Sequence, residues 1–291
     1  MSASRPAGYV PLGLAVVCVS VGSILIRLAQ APALATAFFR VGLAAAILAP
    51  FAAGSLYRSW AGLPRNQRLI VFGCGLALAL HFATWIASLS YTTVAASVLF
   101  VNLAPIFNVL FSRVFLGERT TPLVLASLGL ALPGAGMIAA DDWTGGGAAP
   151  LRGDVLALVG AVALSAYHVI GRGLREALPL SAYVLGVWSA AAVALGALAA
   201  AASTPLLGLP ARSYAFLLAL ALIPTLAGHG LVNRSLRLLP APVVGLFLLG
   251  EPIIASLLAY ALFHERPGAW TLAGGGVVIA ALALLVLGSR R

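Results

Sequence analysis

The sequence predicts an all-α membrane protein: ten transmembrane helices forming two inverted five-helix repeats, with both termini in the cytoplasm. Three observations carry that prediction. Hydrophobic residues make up 62% of the chain and charged residues 8%, against roughly 45–50% and about 25% in an average soluble domain, more apolar surface than a water-soluble fold can bury. Ten apolar runs divide the chain, each near the ~20 residues a helix needs to cross the hydrocarbon core. Finally, Pro105-Ile106 followed by Glu118-Arg119 recurs as Pro252-Ile253 followed by Glu265-Arg266, at a constant offset of 147 residues, with Leu110 against Leu257 and Gly129 against Gly276. An internal repeat of that size marks a duplicated unit. Two related halves in a membrane chain point to a carrier with its site between them.

The first half is read as spans Tyr9–Gln30, Pro32–Ala53, Arg68–Tyr91, Thr92–Leu116 and Pro122–Ala139. The opening run is too long for a signal-peptide core and is followed by further spans, so it stays as a helix. The third and fourth spans abut at Tyr91-Thr92, which demands a very tight turn. The second half supplies Asp154–Arg175, Leu180–Ala202, Ser213–Leu239, Pro242–Phe263 and Gly268–Gly288. Pro122, Pro242 and Pro267 sit where first-turn prolines are tolerated. Residues 1–140 and 154–291 form the two repeats. Between them, 141–153, beginning Asp141-Asp142-Trp143-Thr144-Gly145-Gly146-Gly147, reads as an external flexible linker. Tyr9, Tyr57, Trp60, Trp143, Tyr214, Tyr260 and Trp270 lie near span ends, where interfacial aromatics gather.

Arginine placement sets the orientation. Twelve arginines, at positions 5, 58, 65, 68, 113, 119, 172, 175, 234, 237, 290 and 291, fall on one side, and four, Arg27, Arg152, Arg212 and Arg266, on the other. The positive-inside rule puts the richer side, with both termini, in the cytoplasm. Five spans per half is an odd number, so the second copy is inserted upside down, which makes Glu118 cytoplasmic and Glu265 external.

The formal charge of +10 is dispersed between apolar runs with no basic, aromatic-interleaved face, which excludes a nucleic-acid partner. Cys18 and Cys74 lie inside apolar spans without ligand spacing and read as packing residues. No cofactor or metal is expected. Gly-x-Ser-x-Gly and His-Glu-x-x-His are both missing from the sequence, which weighs against an intramembrane enzyme. A non-transporting scaffold leaves the duplication and the polar groups in both halves without purpose. A channel needs a span polar along one whole face.

Polar groups at mid-membrane depth cost at least ~2.5 kcal/mol when ionisable, so each needs a reason. His81, Trp85 and Ser88 share one helix face at i, i+4 and i+7 and offer an imidazole and an indole to a substrate, or an interhelical bond and a packed ring. Thr225, His229, Asn233 and Arg237 recur every four residues after Pro224, whose missing N–H frees a carbonyl and can bend the helix. Tyr167 and His168 point about 100° apart, so one lines a cavity while the other packs. Asn102, three residues before Pro105, either binds a substrate carboxylate or amine at the loosened backbone or bonds across helices, and Trp188 sits at interior depth as a wall or as core. Arg40 and Glu251 occupy span centres, where an ion pair makes each tolerable. Glu251 either alternates between protonated and charged forms, coupling transport to protons, or locks helices together. Glu118 and Glu265, at span ends, read as turn residues stabilised by the next helix's positive N-terminus. Gly274-Gly275-Gly276 and Gly129, Gly134 and Gly136 read as sites of close helix packing.

With these features the chain resembles the drug/metabolite transporter superfamily, EamA branch. The resemblance rests on Ala104-Pro105-Ile106 with Phe115-Leu116-Gly117-Glu118-Arg119, on Glu251-Pro252-Ile253 with Phe263-His264-Glu265-Arg266, and on Phe39-Arg40. The second copy departs from the pattern with His264 in place of Gly117 and Glu251 in place of Ala104. The resemblance implies export of amino acids across the bacterial inner membrane, with aromatic ones favoured. It gives Arg40 a structural role. Another small metabolite or a drug is the alternative cargo. The expected partners are the substrate, the lipid bilayer and, if Glu251 titrates, protons, with the chain a monomer or weak homo-oligomer.

Overall fold

The structure, a computed structural model, describes residues 5–117, 122–145, 149–171, 174, 178–236, 244, 247–248 and 250–288. Glu118, Arg119, Arg172, Arg175, Arg237 and Pro242, singled out above, lie outside the described residues, as does the side chain of Asn233. In chain order the helices are α1 (Arg5–Ser20), α2 (Gly22–Ala29), α3 (Ala33–Gly62), α4 (Arg65–Ser88), α5 (Val94–Val101), α6 (Ala104–Leu116) and α7 (Pro122–Gly145). They continue as α8 (Pro150–Ile170), α9 (Leu180–Ala201), α10 (Ala211–Leu220), a π-helical stretch (Ala221–His229), α11 (Gly230–Leu236), α12 (Gly250–Phe263) and α13 (Ala269–Gly288). Among the described residues there is no strand. Seven helical stretches are long and apolar enough to cross a membrane, and Leu125–Asp141, Gly250–Phe263 and Ala269–Leu284 are shorter apolar helices.

The duplication reappears in the packing. α7 packs on α13 and α3 on α9, each a helix against its own repeat mate, and α5 packs on α12, the mate of α6 in the same span. The pairing of α4 with α8 is mirrored by α1 and α2 against the segment from α10 to α11. Likewise α4 on α9 is matched by that segment on α3, and α5 and α6 on α8 by α12 on α1 and α2. That reciprocity is what two copies related by a two-fold axis produce. Gly117 closes α6 with φ 67°, and its repeat partner His264 follows α12 with φ 57°. Both repeats therefore need a left-handed residue here. Glycine adopts it freely and histidine at a cost, which explains one departure from the repeat pattern.

Three expected spans are interrupted. The first breaks at Val21 between α1 and α2. The fourth breaks at Asn102-Leu103, ahead of Pro105, and Ser165 Oγ donates to the carbonyl of Ala104 at 2.6 Å just past the break. The eighth widens into the π-helical stretch around Pro224. Proline removes one N–H and so frees the Leu220 carbonyl four residues back. The Thr225 hydroxyl donates to that carbonyl at 2.9 Å. Boundaries also move: α3 runs nine residues past Ala53, through Trp60, α7 continues to Gly145, and α8 starts at Pro150, four residues before Asp154. Both ends of the expected linker are thus helical. Asp141 on it accepts a bond from the Thr271 N–H at 2.9 Å, satisfying a free donor at the start of α13.

α7 and α13 meet glycine to glycine. A Cβ built on Gly134 would lie 2.9 Å from the Gly274 carbonyl oxygen and 3.0 Å from Val277 Cγ1 and Val278 Cγ2. Gly134→Val should therefore overpack this interface, at a cost of about 1–3 kcal/mol, read as a lower melting temperature in detergent.

Candidate functional site

Arg40 organises the interior. It projects from α3, seven residues past its first residue, and is 3% exposed. Its Nε–H donates to Thr225 Oγ1 at 3.1 Å, and its Nη2–H reaches His229 Nε2 at a long 3.5 Å. The opening of the helix at Pro224 places both acceptors, one inside the π-helical stretch and one at its end; such stretches are common at functional sites. The guanidinium carbon also lies 4.3 Å from the centroid of the Phe82 ring and 5.4 Å from that of Trp85 on α4, within cation–π range.

His81 stacks on Trp85, centroids 5.8 Å apart and planes within 11°. Its Nδ1 lies 2.9 Å from the Gly160 carbonyl on α8. A carbonyl can only accept, so Nδ1 carries the proton there. Gly160 permits the approach: a Cβ on it would sit 3.2 Å from Trp85 Cβ. His168 lies within electrostatic reach of both His81 and His229 and 3.4 Å from Asn108 Nδ2. Glu251 lies beside the Asn102 side chain and within Coulombic range of Arg40, but no direct salt bridge joins Arg40 to Glu251. Asn102 itself donates to the Val98 carbonyl at 2.9 Å.

The structure thus draws Arg40, His81, Trp85, Thr225 and His229 into one cluster fed by both halves, with His168, Glu251 and Asn102 at its edge. Trp188 is buried in the main apolar core, and Tyr167, half-buried, packs against that core. Ser88 is placed apart. Its hydroxyl donates to the Trp85 carbonyl at 2.6 Å and pairs with Ser97 Oγ at 2.7 Å, tying the end of α4 to α5. Ser88→Ala should leave substrate affinity unchanged in a binding titration and lower stability by about 1 kcal/mol.

Sequence reasoning missed Phe82, which lies against the guanidinium, and the acceptor role of Gly160. It also gave Glu265 the wrong helix. Glu265 ion-pairs with Arg27 and accepts from the Val94 N–H at 3.0 Å, so it caps α5 in the opposite repeat, while α13 is capped by Asp141. Arg27 donates further to the Thr92 carbonyl at 2.7 Å. The end of α2, the α4–α5 turn and the α12–α13 loop are therefore fastened together. A cavity of about 660 Å³ lies at this end, lined by residues including Arg27, Gln30, Tyr91, Glu265 and Arg266. An apolar groove of about 630 Å³ between α3, α4 and α9 presents Leu56, Trp60 and Phe72 and no ionisable group other than Tyr57, which suits lipid chains better than a polar solute.

Residues 7–140 and 151–287 each match the EamA-like transporter family. Over 203 residues the chain is 29% identical to a probable terminal-alkyne amino-acid exporter of Streptantibioticus cattleyicolor, a match that covers 66% of this chain and 65% of that protein, less than two thirds of its length. A crystal structure at 23% identity superposes with a TM-score of 0.68 over 99% of both chains, a likeness of fold.

Proposed function

This chain belongs to the EamA-like transporter family, and on that premise we propose that it exports amino acids, aromatic and other neutral ones, by alternating access at the Arg40 cluster. The observation that carries the proposal is the position of that cluster. A buried cation on α3 takes its hydrogen-bond acceptors from the opposite half, so any rocking of one half against the other must remake the site. The name of the S. cattleyicolor relative supports amino-acid cargo.

In this reading the seven long and three shorter apolar helices make ten spans in the bacterial inner membrane, with both termini cytoplasmic. The second repeat is inverted relative to the first, and the Arg27–Glu265 fastening is the external gate. Substrate enters from the cytoplasm, rests against Trp85, His81 and His229, and leaves when that gate parts. Glu251 takes up the counter-moving proton. Glu251→Gln should abolish the acceleration of efflux by an imposed pH gradient while preserving substrate exchange, measured in liposomes.

The test is tolerance to toxic aromatic amino-acid analogues. Bacteria producing the protein should grow at analogue concentrations several-fold above controls, and those producing His229→Leu should not. Unchanged tolerance, with the protein present in the membrane, would move the reading to a different metabolite.

A further inference from the structure

Two N–H donors in the cluster have no acceptor among the described residues. Arg40 Nη1 and Trp85 Nε1 are both buried and unpaired, on side chains that are 3% and 4% exposed. Their side chains are neighbours: the guanidinium carbon lies 5.4 Å from the Trp85 ring centroid. Buried polar groups are almost always hydrogen-bonded, and each orphan costs about 1–3 kcal/mol. The guanidinium is also short of an anion: Thr225 and His229 provide neutral acceptors, Phe82 and Trp85 ring faces, and Glu251 stands off without a salt bridge. A permanent cation held in apolar surroundings with a free donor, beside a second free donor, matches a carboxylate, which accepts through two oxygens and brings the missing charge.

We propose that Arg40 Nη1–H and Trp85 Nε1–H together form the receptor for the substrate's carboxylate. The inference rests on the export reading above for the rest of the cargo, but it concerns one functional group. An unpaired indole N–H and guanidinium N–H penalise any ligand lacking a carboxylate, because both then stay orphaned. Specificity of this kind resides in the protein's own polar groups and exceeds what an apolar pocket achieves. The side chain of the substrate is then free to vary, provided it fits beside the Phe82, Trp85 and His81 rings.

The experiment is a binding titration of purified protein with phenylalanine, phenylalaninamide and 3-phenylpropionate, on wild type, Trp85→Phe and Arg40→Lys. Wild type should bind phenylalanine at least about 30-fold more tightly than the amide. Trp85→Phe keeps an aromatic ring but deletes the N–H and shortens the side chain, and should reduce that ratio about tenfold by weakening phenylalanine more than the amide. Arg40→Lys keeps the charge and loses the planar fork, and should also reduce it. Trp85→Phe decides the matter if Arg40→Lys fails to fold. An equal ratio in wild type and Trp85→Phe, or no preference for the acid over the amide in wild type, overturns the receptor while amino-acid export stands. Binding of 3-phenylpropionate that Trp85→Phe weakens, with no binding of any amino acid, keeps the receptor and removes the amino-acid reading.

Discussion

Arg40→Met is expected to reduce transport at least about 100-fold while leaving a folded protein in the membrane. The methionine chain fills a similar apolar volume and removes the charge and every donor. A charge-assisted bond in a dry site is worth about 1.5–3 kcal/mol, and a factor of 100 corresponds to about 2.7 kcal/mol. Stability should change far less. Among the described residues no carboxylate is salt-bridged to Arg40, so its removal strands no ion-paired partner, and exchanging a buried charge for an apolar chain is often neutral or favourable. His229 loses its long 3.5 Å partner, while the Thr225 hydroxyl keeps its bond to the Leu220 carbonyl. The melting temperature in detergent and labelled-substrate flux in liposomes check the two halves of the prediction. A purely structural arginine would lose both together.

The second large effect is expected at the Arg27–Glu265 pair. Both side chains are mostly buried, at 23% and 19% exposure, and both hold backbone groups of the α4–α5 turn besides each other. Glu265→Gln removes the charge opposite Arg27 and weakens the cap on α5. In a background lacking Cys18 and Cys74, a cysteine at the buried Leu89, which lines the same cavity, should then react about tenfold faster with a membrane-impermeant thiol reagent. The exchange of charges in Arg27→Glu with Glu265→Arg should recover part of the slow rate, with a coupling of about 1–3 kcal/mol in the double-mutant cycle. Equal reactivity in all four proteins would mean that the pair packs without gating.

The sequence displays the membrane class and the duplication openly, because lipid imposes a composition and a repeat imposes an offset. The breaks inside spans are half visible. Pro224 and Pro105 announce a break, but which hydroxyl answers it depends on register and packing: Thr225 serves its own helix at the Leu220 carbonyl, and Ser165 reaches across from α8 to the Ala104 carbonyl. The cluster shows the same division. His81 and Trp85, or Thr225 and His229, fall on common helix faces by spacing, whereas their convergence on Arg40 needs three helices to be placed. Ser88 shares the spacing of His81 and Trp85, but Ser97 claims it. Glu265 reads as a cap from its position before a helix, yet the helix it caps is 171 residues away in sequence. Local pattern gives the residue type and its need for a partner; tertiary packing chooses the partner.

Counterflow in liposomes tests amino-acid transport most directly. Purified protein is reconstituted with unlabelled phenylalanine inside and trace labelled phenylalanine outside, beside Arg40→Met and empty liposomes. The expected result is a saturable, transient accumulation of label by wild type alone, diminished by competing aromatic and neutral amino acids. Wild-type traces indistinguishable from empty liposomes for every amino acid tried, with the protein shown to be folded after reconstitution, would contradict amino-acid transport.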